Sequence, residues 1–170
     1  MDARPPALYW IERVKPLRLA LMPAPRSGEQ LAADVRAWTQ TGIDTVVSLI
    51  EPAEALELGL LEEAALCAAG GIEFISLPIA DCGTPQSSGE VAALVEAICS
   101  RLRSGAGVAV HCRAGIGRSG LLTACVLLTL GIAQDEVFAT ITLARGITVP
   151  ETAAQAAWFA RFAQARFGRR

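Results

Sequence analysis

Apolar and polar positions divide the chain into alternating short and long segments. Residues 17–22 (LRLALM) form a short apolar run between Pro16 and Pro23. Similar runs at 45–50 (TVVSLI), 73–77 (EFISL) and 108–111 (VAVH) are rich in aliphatic residues, so each is predicted to be a buried strand. The longer segments repeat their apolar positions at helical spacing. Leu31, Val35 and Trp38 give 27–41 one buried face, with Ser27 as the expected cap and Gly42 as the stop. Residues 60–69 read as an alanine- and leucine-rich helix ended by Gly70 and Gly71. Residues 88–104 place Val91, Leu94, Val95, Ile98 and Leu102 on one face. The segment 118–130 is apolar almost all round, so it is expected to be buried on most sides. Helices at 134–145 and 151–167 complete the chain. Alternating strands and helices predict an α/β fold, with a mostly parallel central sheet flanked by helices on both faces. No internal repeat or long linker interrupts the pattern. A single domain over 1–170 is expected, with its core at about 15–167.

Composition narrows the classes. Apolar residues make up 52% of the chain and charged residues 19%, which fits a folded globular protein. The net charge is −2, with no basic stripe, so no nucleic-acid partner is expected. Asp2, Arg4, Pro5 and Pro6 are not followed by an apolar run, and the longest apolar stretch, 121–130, is too short to cross a bilayer. The expectation is a cytoplasmic protein without a membrane partner, monomeric by default. The five cysteines (Cys67, Cys82, Cys99, Cys112, Cys125) are scattered and there is one histidine. Neither a disulfide framework nor a metal site fits that pattern, and no cofactor is expected. Cys67, Cys99 and Cys125 fall in predicted helices as core residues, and Trp10, Trp38 and Trp158 read as packing residues.

The chemistry is concentrated at 111–120, HCRAGIGRSG. An apolar strand runs through a glycine-rich turn into an apolar helix. That arrangement aims successive N–H groups and a helix N-terminus at one point, which suits a phosphate. Gly115 and Gly117 let the backbone approach without a Cβ in the way. The Gly-Lys-Ser/Thr ending of nucleotide-binding loops is missing. Cys112 opens the loop, and its thiolate is the reactive form; oriented N–H groups, the helix N-terminus and Arg118 all favour a negative sulfur. Arg118 supplies a planar fork for two phosphoryl oxygens, and Ser119 can donate to a departing thiolate.

His111, Cys112, Arg118 and Ser119 match the His-Cys-x5-Arg-Ser/Thr motif of the protein tyrosine and dual-specificity phosphatase superfamily, and the inner residues Ala114, Gly115, Ile116 and Gly117 look like that family as well. The chain resembles its compact dual-specificity branch, especially the cyclin-dependent kinase inhibitor 3-like group, over about 15–165. The resemblance implies a cysteine-dependent phosphatase fold. It also implies hydrolysis of phosphotyrosine, with phosphoserine and phosphothreonine as further candidates, through a cysteinyl-phosphate. The substrate would be a phosphorylated protein or peptide.

A leaving alkoxide or phenoxide needs a proton. Asp81 lies in PIADCGTPQ, directly after the strand EFISL, and the string resembles the general-acid loop of the kinase inhibitor-like phosphatases. Glu73 and Glu90 are weaker alternatives. His111, at a strand end, is expected to orient the loop and support the thiolate. Where tyrosine phosphatases carry a water-positioning glutamine, this chain has Glu151, with Gln155 four residues later. Pro150 and Glu151 also read as a plain helix start. Arg113 puts a charge on the loop rim. Ala114 and Ile116 stand where phosphoinositide phosphatases of the superfamily tend to carry lysines. Cys82, beside Asp81, is either an ordinary loop cysteine or a disulfide partner for oxidised Cys112. Two rivals remain open: a rhodanese-like sulfurtransferase, whose loop normally has a shorter Cys-to-Arg spacing, and a phosphoprotein-binding module without turnover.

Overall fold

In a computed structural model, which describes residues 5–168, a five-stranded sheet has the order β1-β2-β5-β3-β4. The strands are β1 (Tyr9–Trp10), β2 (Arg18–Met22), β3 (Thr45–Ser48), β4 (Glu73–Ser76) and β5 (Gly107–His111). β2, β5, β3 and β4 run parallel, as the alternating pattern predicts. β1 pairs antiparallel with β2, Tyr9 opposite Leu21, so the complete sheet is mixed. β1 and the 3-10 turn Glu12–Val14 behind it were not foreseen, and with Ile11 only 2% exposed the packed core extends upstream of position 15.

The helices are α1 (Glu29–Gln40), α2 (Pro52–Glu57), α3 (Glu63–Ala69), α4 (Ser88–Arg103), α5 (Gly117–Thr129), α6 (Val137–Arg145) and α7 (Ala153–Phe167). Strand side chains alternate between the two faces. Val47, Val108 and Val110 point into the larger core with Val95, Leu121, Val126, Ile141 and Phe159 of α4 to α7. Val46 and Ala109 point to the other side, against Leu31, Val35, Trp38 and Cys67 of α1 and α3. Both faces are therefore covered. α5 lies inside the larger layer, and every residue from Gly117 to Leu127 is buried. That is why its sequence is apolar all round. Trp38 and Trp158 are packed as expected, and Trp10 is half-buried beneath the Arg18 guanidinium.

Local differences have physical causes. Gly28, at φ 63°, stands at the N-cap of α1, and no side chain caps that end, so Ser27 does not play its expected part. The helix expected from 151 begins at Ala153, because the Thr152 hydroxyl accepts from the Gln155 N–H at 3.1 Å and fixes the start there. α4 is closed in the same way by Ser87, which accepts from Glu90 N–H. α2 has no buried residue, so it left no apolar stripe to read.

The four parallel strands carry their C-terminal ends along one edge, where ligands bind in such sheets. β5 is central, between β2 and β3. A core deletion tests this placement of α5. Leu121→Ala should cost about 2–5 kcal/mol in urea denaturation. Leu143→Ala on α6, where the residue is 87% exposed, should stay within about 0.5 kcal/mol of wild type.

Candidate active site

β5 ends at His111, the chain turns through 112–116, and α5 starts at Gly117. Gly115 has φ +69°, and its Cα sits against the Met22 carbonyl, where any Cβ would collide with backbone. Gly120 faces Val149 in the same close fashion. Cys112 is 3% exposed at the mouth of this turn, with its Sγ 3.4 Å from the buried Ser119 Oγ. Arg113 and Ala114 stand exposed on the rim, Ile116 is half-buried, and Gly117 is buried. Arg113 reaches Glu57 of α2 at 3.3 Å.

Arg118 is 2% exposed, and a guanidinium cannot shed its charge when buried. Its partners come from α2 and from the loop after β4. Glu54 of α2 takes it as a bidentate pair, Nη1 at 2.7 Å and Nη2 at 3.0 Å. The Ile79 carbonyl accepts from Nη1 at 3.0 Å, and Asp81 Oδ1 accepts from Nη2 at 3.0 Å. Burial on its own would pull the Arg118 guanidinium down. Hydrogen bonding to Glu54 and the charges of Cys112, Glu54 and Asp81 outweigh it and hold the group above its ordinary value. The hydrogen bond from Arg118 holds Glu54 below the usual carboxylate range, against a smaller opposing effect of burial.

Asp81 lies on the exposed turn after β4, with 61% of its side chain accessible. Its Oδ1 also accepts from the Cys82 N–H at 3.0 Å. Cys82 is the single non-glycine residue with positive φ (55°) among the described residues, and it is exposed. Glu151 and then Asp81 push its thiol up, which puts both carboxylates near it. Gln155 is fully buried. Its amide donates to the Gly83 carbonyl at 3.2 Å and accepts from the Glu151 N–H at 3.2 Å. It thus ties the Asp81 turn to the start of α7. The Glu151 carboxylate lies directly against Gly117 of the loop.

His111 is wholly buried. Its Nδ1 is 3.3 Å from the Cys112 carbonyl, and its Nε2 is 2.9 Å from Glu63 of α3. The His111–Glu63 pair is close but lacks hydrogen-bond alignment. Cys67 and Cys99 are core residues whose thiols burial pushes up to about 12 and about 11, and Cys125 is buried as well.

His111, Cys112, Arg118, Ser119, Asp81, Glu151 and Gln155 therefore lie together at one sheet edge. Glu54, Glu63 and Arg145 join them without having been foreseen. No motif marks Glu54, which reaches Arg118 through tertiary folding alone. Glu73 and Glu90 are drawn elsewhere, Glu73 into an ion pair with Arg101 at the N-terminal end of β4 and Glu90 into the first turn of α4. Among the described residues no group of three His, Cys, Asp or Glu could hold a metal ion, and no helix is long and apolar enough to cross a membrane. The cavity of about 380 Å³ lined by Trp10, Lys15, Leu17 and Arg18 belongs to the N-terminal edge rather than to this loop.

The Glu54–Arg118 pair has a defined pH signature. A depressed carboxylate stabilises the fold above its ordinary value of 4.5, and that contribution is lost as pH falls through the folded value. Thermal melts of wild type and Glu54→Gln should therefore differ most near neutral pH, and the gap should narrow below about pH 4. An equal gap at every pH would mean that the pair does not carry the effect.

The arrangement brings a thiol, a buried guanidinium and an exposed carboxyl together at one glycine-rich turn, a set of groups capable of phosphoryl transfer through sulfur. The comparisons with known proteins bear on the fold and the family. A comparison with curated protein sequences finds no match. Among solved structures, kinase associated phosphatase with its catalytic-site cysteine replaced by serine superposes with a TM-score of 0.83 at 22% identity, over 95% of this chain and 96% of that one. Tk-PTP in its active form gives 0.73 at 25%, over 94% and 97%. PTPMT1 gives 0.74 at 18%, over 94% and 95%, and has also been solved in complex with PI(5)P. The family model of the Swiss Army Knife protein PTP-SAK, a DSP-PTPase phosphatase domain, matches residues 8–164. By that match across nearly its whole length, the chain belongs to the DSP-PTPase family of phosphatases.

Proposed function

We propose that this protein hydrolyses phosphotyrosine in a phosphorylated protein or peptide, with phosphoserine and phosphothreonine as further substrates, through a cysteinyl-phosphate intermediate. The observation that carries this reading is the placement of the Cys112 sulfur at the mouth of the loop, 3.4 Å from Ser119 Oγ, with Arg118 and Asp81 joined beside it.

The chemistry follows from the contacts. Both protons on Nη1 and both on Nη2 of Arg118 are engaged by Glu54, Ile79 and Asp81. A phosphoryl group taking the guanidinium edge in bidentate fashion must use Nε–H and displace Asp81 from Nη2. Asp81 is the exposed partner and the one able to move. Substrate binding thus releases the carboxyl that the first step needs. The Cys112 thiolate attacks phosphorus in line; the S–P bond forms and the P–O bond breaks as Asp81 gives its proton to the leaving oxygen. Water then attacks the cysteinyl-phosphate, and Asp81 takes its proton. The P–S bond breaks, and Ser119 donates to the departing thiolate. Arg118 and the loop N–H groups balance the phosphoryl charge, so no metal step is required.

The rim supports a protein substrate over a polyanionic lipid headgroup. Ala114 and Ile116 carry no charge, and the carboxylates of Glu57, Asp81 and Glu151 stand around the loop. A headgroup with several phosphates would meet like charge there. The Cys112-to-Arg118 spacing favours phosphatase chemistry over a sulfurtransferase. Asp81 beside Arg118 favours turnover over binding alone.

Activity on phosphotyrosine peptide should persist in EDTA, and Cys112→Ser should reduce it by at least about 1,000-fold. Retention of full activity by that variant would overturn the mechanism. Asp81→Asn should slow esters with poor leaving groups by about 100-fold or more, and nitrophenyl-type esters much less. An equal effect on both classes would remove Asp81 as the acid. Faster turnover of phosphatidylinositol phosphate vesicles than of the peptide would favour a lipid substrate.

A further inference from the structure

Three successive carbonyls of the loop point at donors outside it. The Arg113 carbonyl accepts from the Ala24 N–H at 3.0 Å. The Ala114 carbonyl accepts from Arg145 Nη2 at 2.9 Å, and the Gly115 carbonyl accepts from Arg145 Nε at 2.8 Å. Arg145 is the last residue of α6, followed by Gly146 in the left-handed conformation at φ 74°. Its guanidinium carbon lies 4.0 Å from the centroid of the Tyr9 ring on β1.

A trans peptide is planar, and its C=O and the following N–H point in opposite directions. Fixing the carbonyls of Arg113, Ala114 and Gly115 outward therefore turns the N–H groups of Ala114, Gly115 and Ile116 the other way, into the cradle. Free backbone in a glycine-rich turn has no such preference, since Gly115 can rotate at little cost. The planar fork of Arg145 suits two adjacent carbonyls, and the Tyr9 ring holds the fork flat against them. The guanidinium also places a permanent positive charge behind the oxyanion.

We infer that Arg145 is a positioning residue for the phosphate loop: by clamping the Ala114 and Gly115 carbonyls while stacked on Tyr9, it orients the loop's N–H groups toward the substrate's phosphoryl oxygens. This rests on the phosphatase reading above. It also gives the edge strand β1 a task, because β1 carries the ring that backs Arg145.

The test uses orthovanadate and inorganic phosphate as binding probes, so that no turnover is needed. Arg145→Met should weaken both by about 10- to 100-fold, as loss of a supporting partner does at other preorganised sites. kcat/KM on phosphotyrosine peptide should fall by a similar factor. Arg145→Lys, which keeps the charge but not the fork, should recover part of the loss, and Tyr9→Leu should fall between Arg145→Lys and wild type. In amide NMR, the phosphate-induced shifts of Ala114, Gly115 and Ile116 should shrink in Arg145→Met, while those of Arg118 and Ser119, held in α5, persist. Equal oxyanion affinity in wild type and Arg145→Met would overturn the inference. So would a uniform loss of shifts across loop and helix, which marks a structural role only. If Arg145→Met does not fold, Arg145→Lys and Tyr9→Leu decide the matter by the same readouts. Failure of the wild type itself to bind either oxyanion would reject the phosphatase reading instead.

Discussion

A permanent cation has been placed where water hardly reaches, and the neighbouring structure is arranged to make that tolerable. Arg118 sits at the N-terminal turn of a helix, an end that already carries positive potential, and it is 2% exposed. Without close acceptors such a group would be strongly destabilising. Glu54 of α2, and the Ile79 carbonyl and Asp81 of the loop after β4, answer that demand. Helix α2 has no fully buried residue, Ala55 giving it only partial apolar packing, and the Glu54–Arg118 ion pair ties it to the loop. The turn after β4 is drawn over the cradle by the same guanidinium. The residue proposed to clamp the substrate is thus also the one that organises the surrounding walls.

Much of this could be read from the order of residues. The four parallel strands and the buried helix α5 are strong apolar patterns, and the Cys112-to-Ser119 string carries its chemistry in consecutive positions. What escaped was of another kind. β1 has two residues, too few to show a period of two. α2 has no fully buried residue, so no apolar stripe marks it. Glu54 lies 64 positions from Arg118, and Arg145 lies 30 and 31 from the carbonyls it holds. Glutamates and arginines at the ends of helices are common on solvated faces, and only the folded chain separates these from the rest. Asp81 was legible because it lies at the C-terminal end of a strand, where the fold class itself points. Gln155 was found as a candidate, but its amide is bonded to Gly83 and to the start of α7, which makes it a brace for the Asp81 turn.

The position of Glu151 has its own logic. A carboxylate stands against Gly117, and it shares the neighbourhood of Cys82 with Asp81. Two carboxylates thus stand at that edge, and the proposed preference against a polyanionic headgroup draws on both.

The burial of α5 has a consequence for motion. Native proteins open in units whose free energies range from near zero at exposed turns to the full unfolding energy in the core. From Gly117 to Leu127 this helix has no exposed residue, so hydrogen exchange along most of it requires the whole domain to open. The turn carrying Asp81 lies at the other extreme, exposed and held by a few polar contacts. The helix that follows the Cys112 loop thus lasts as long as the fold itself, while Asp81, the proposed proton donor, belongs to the part of the molecule that opens first.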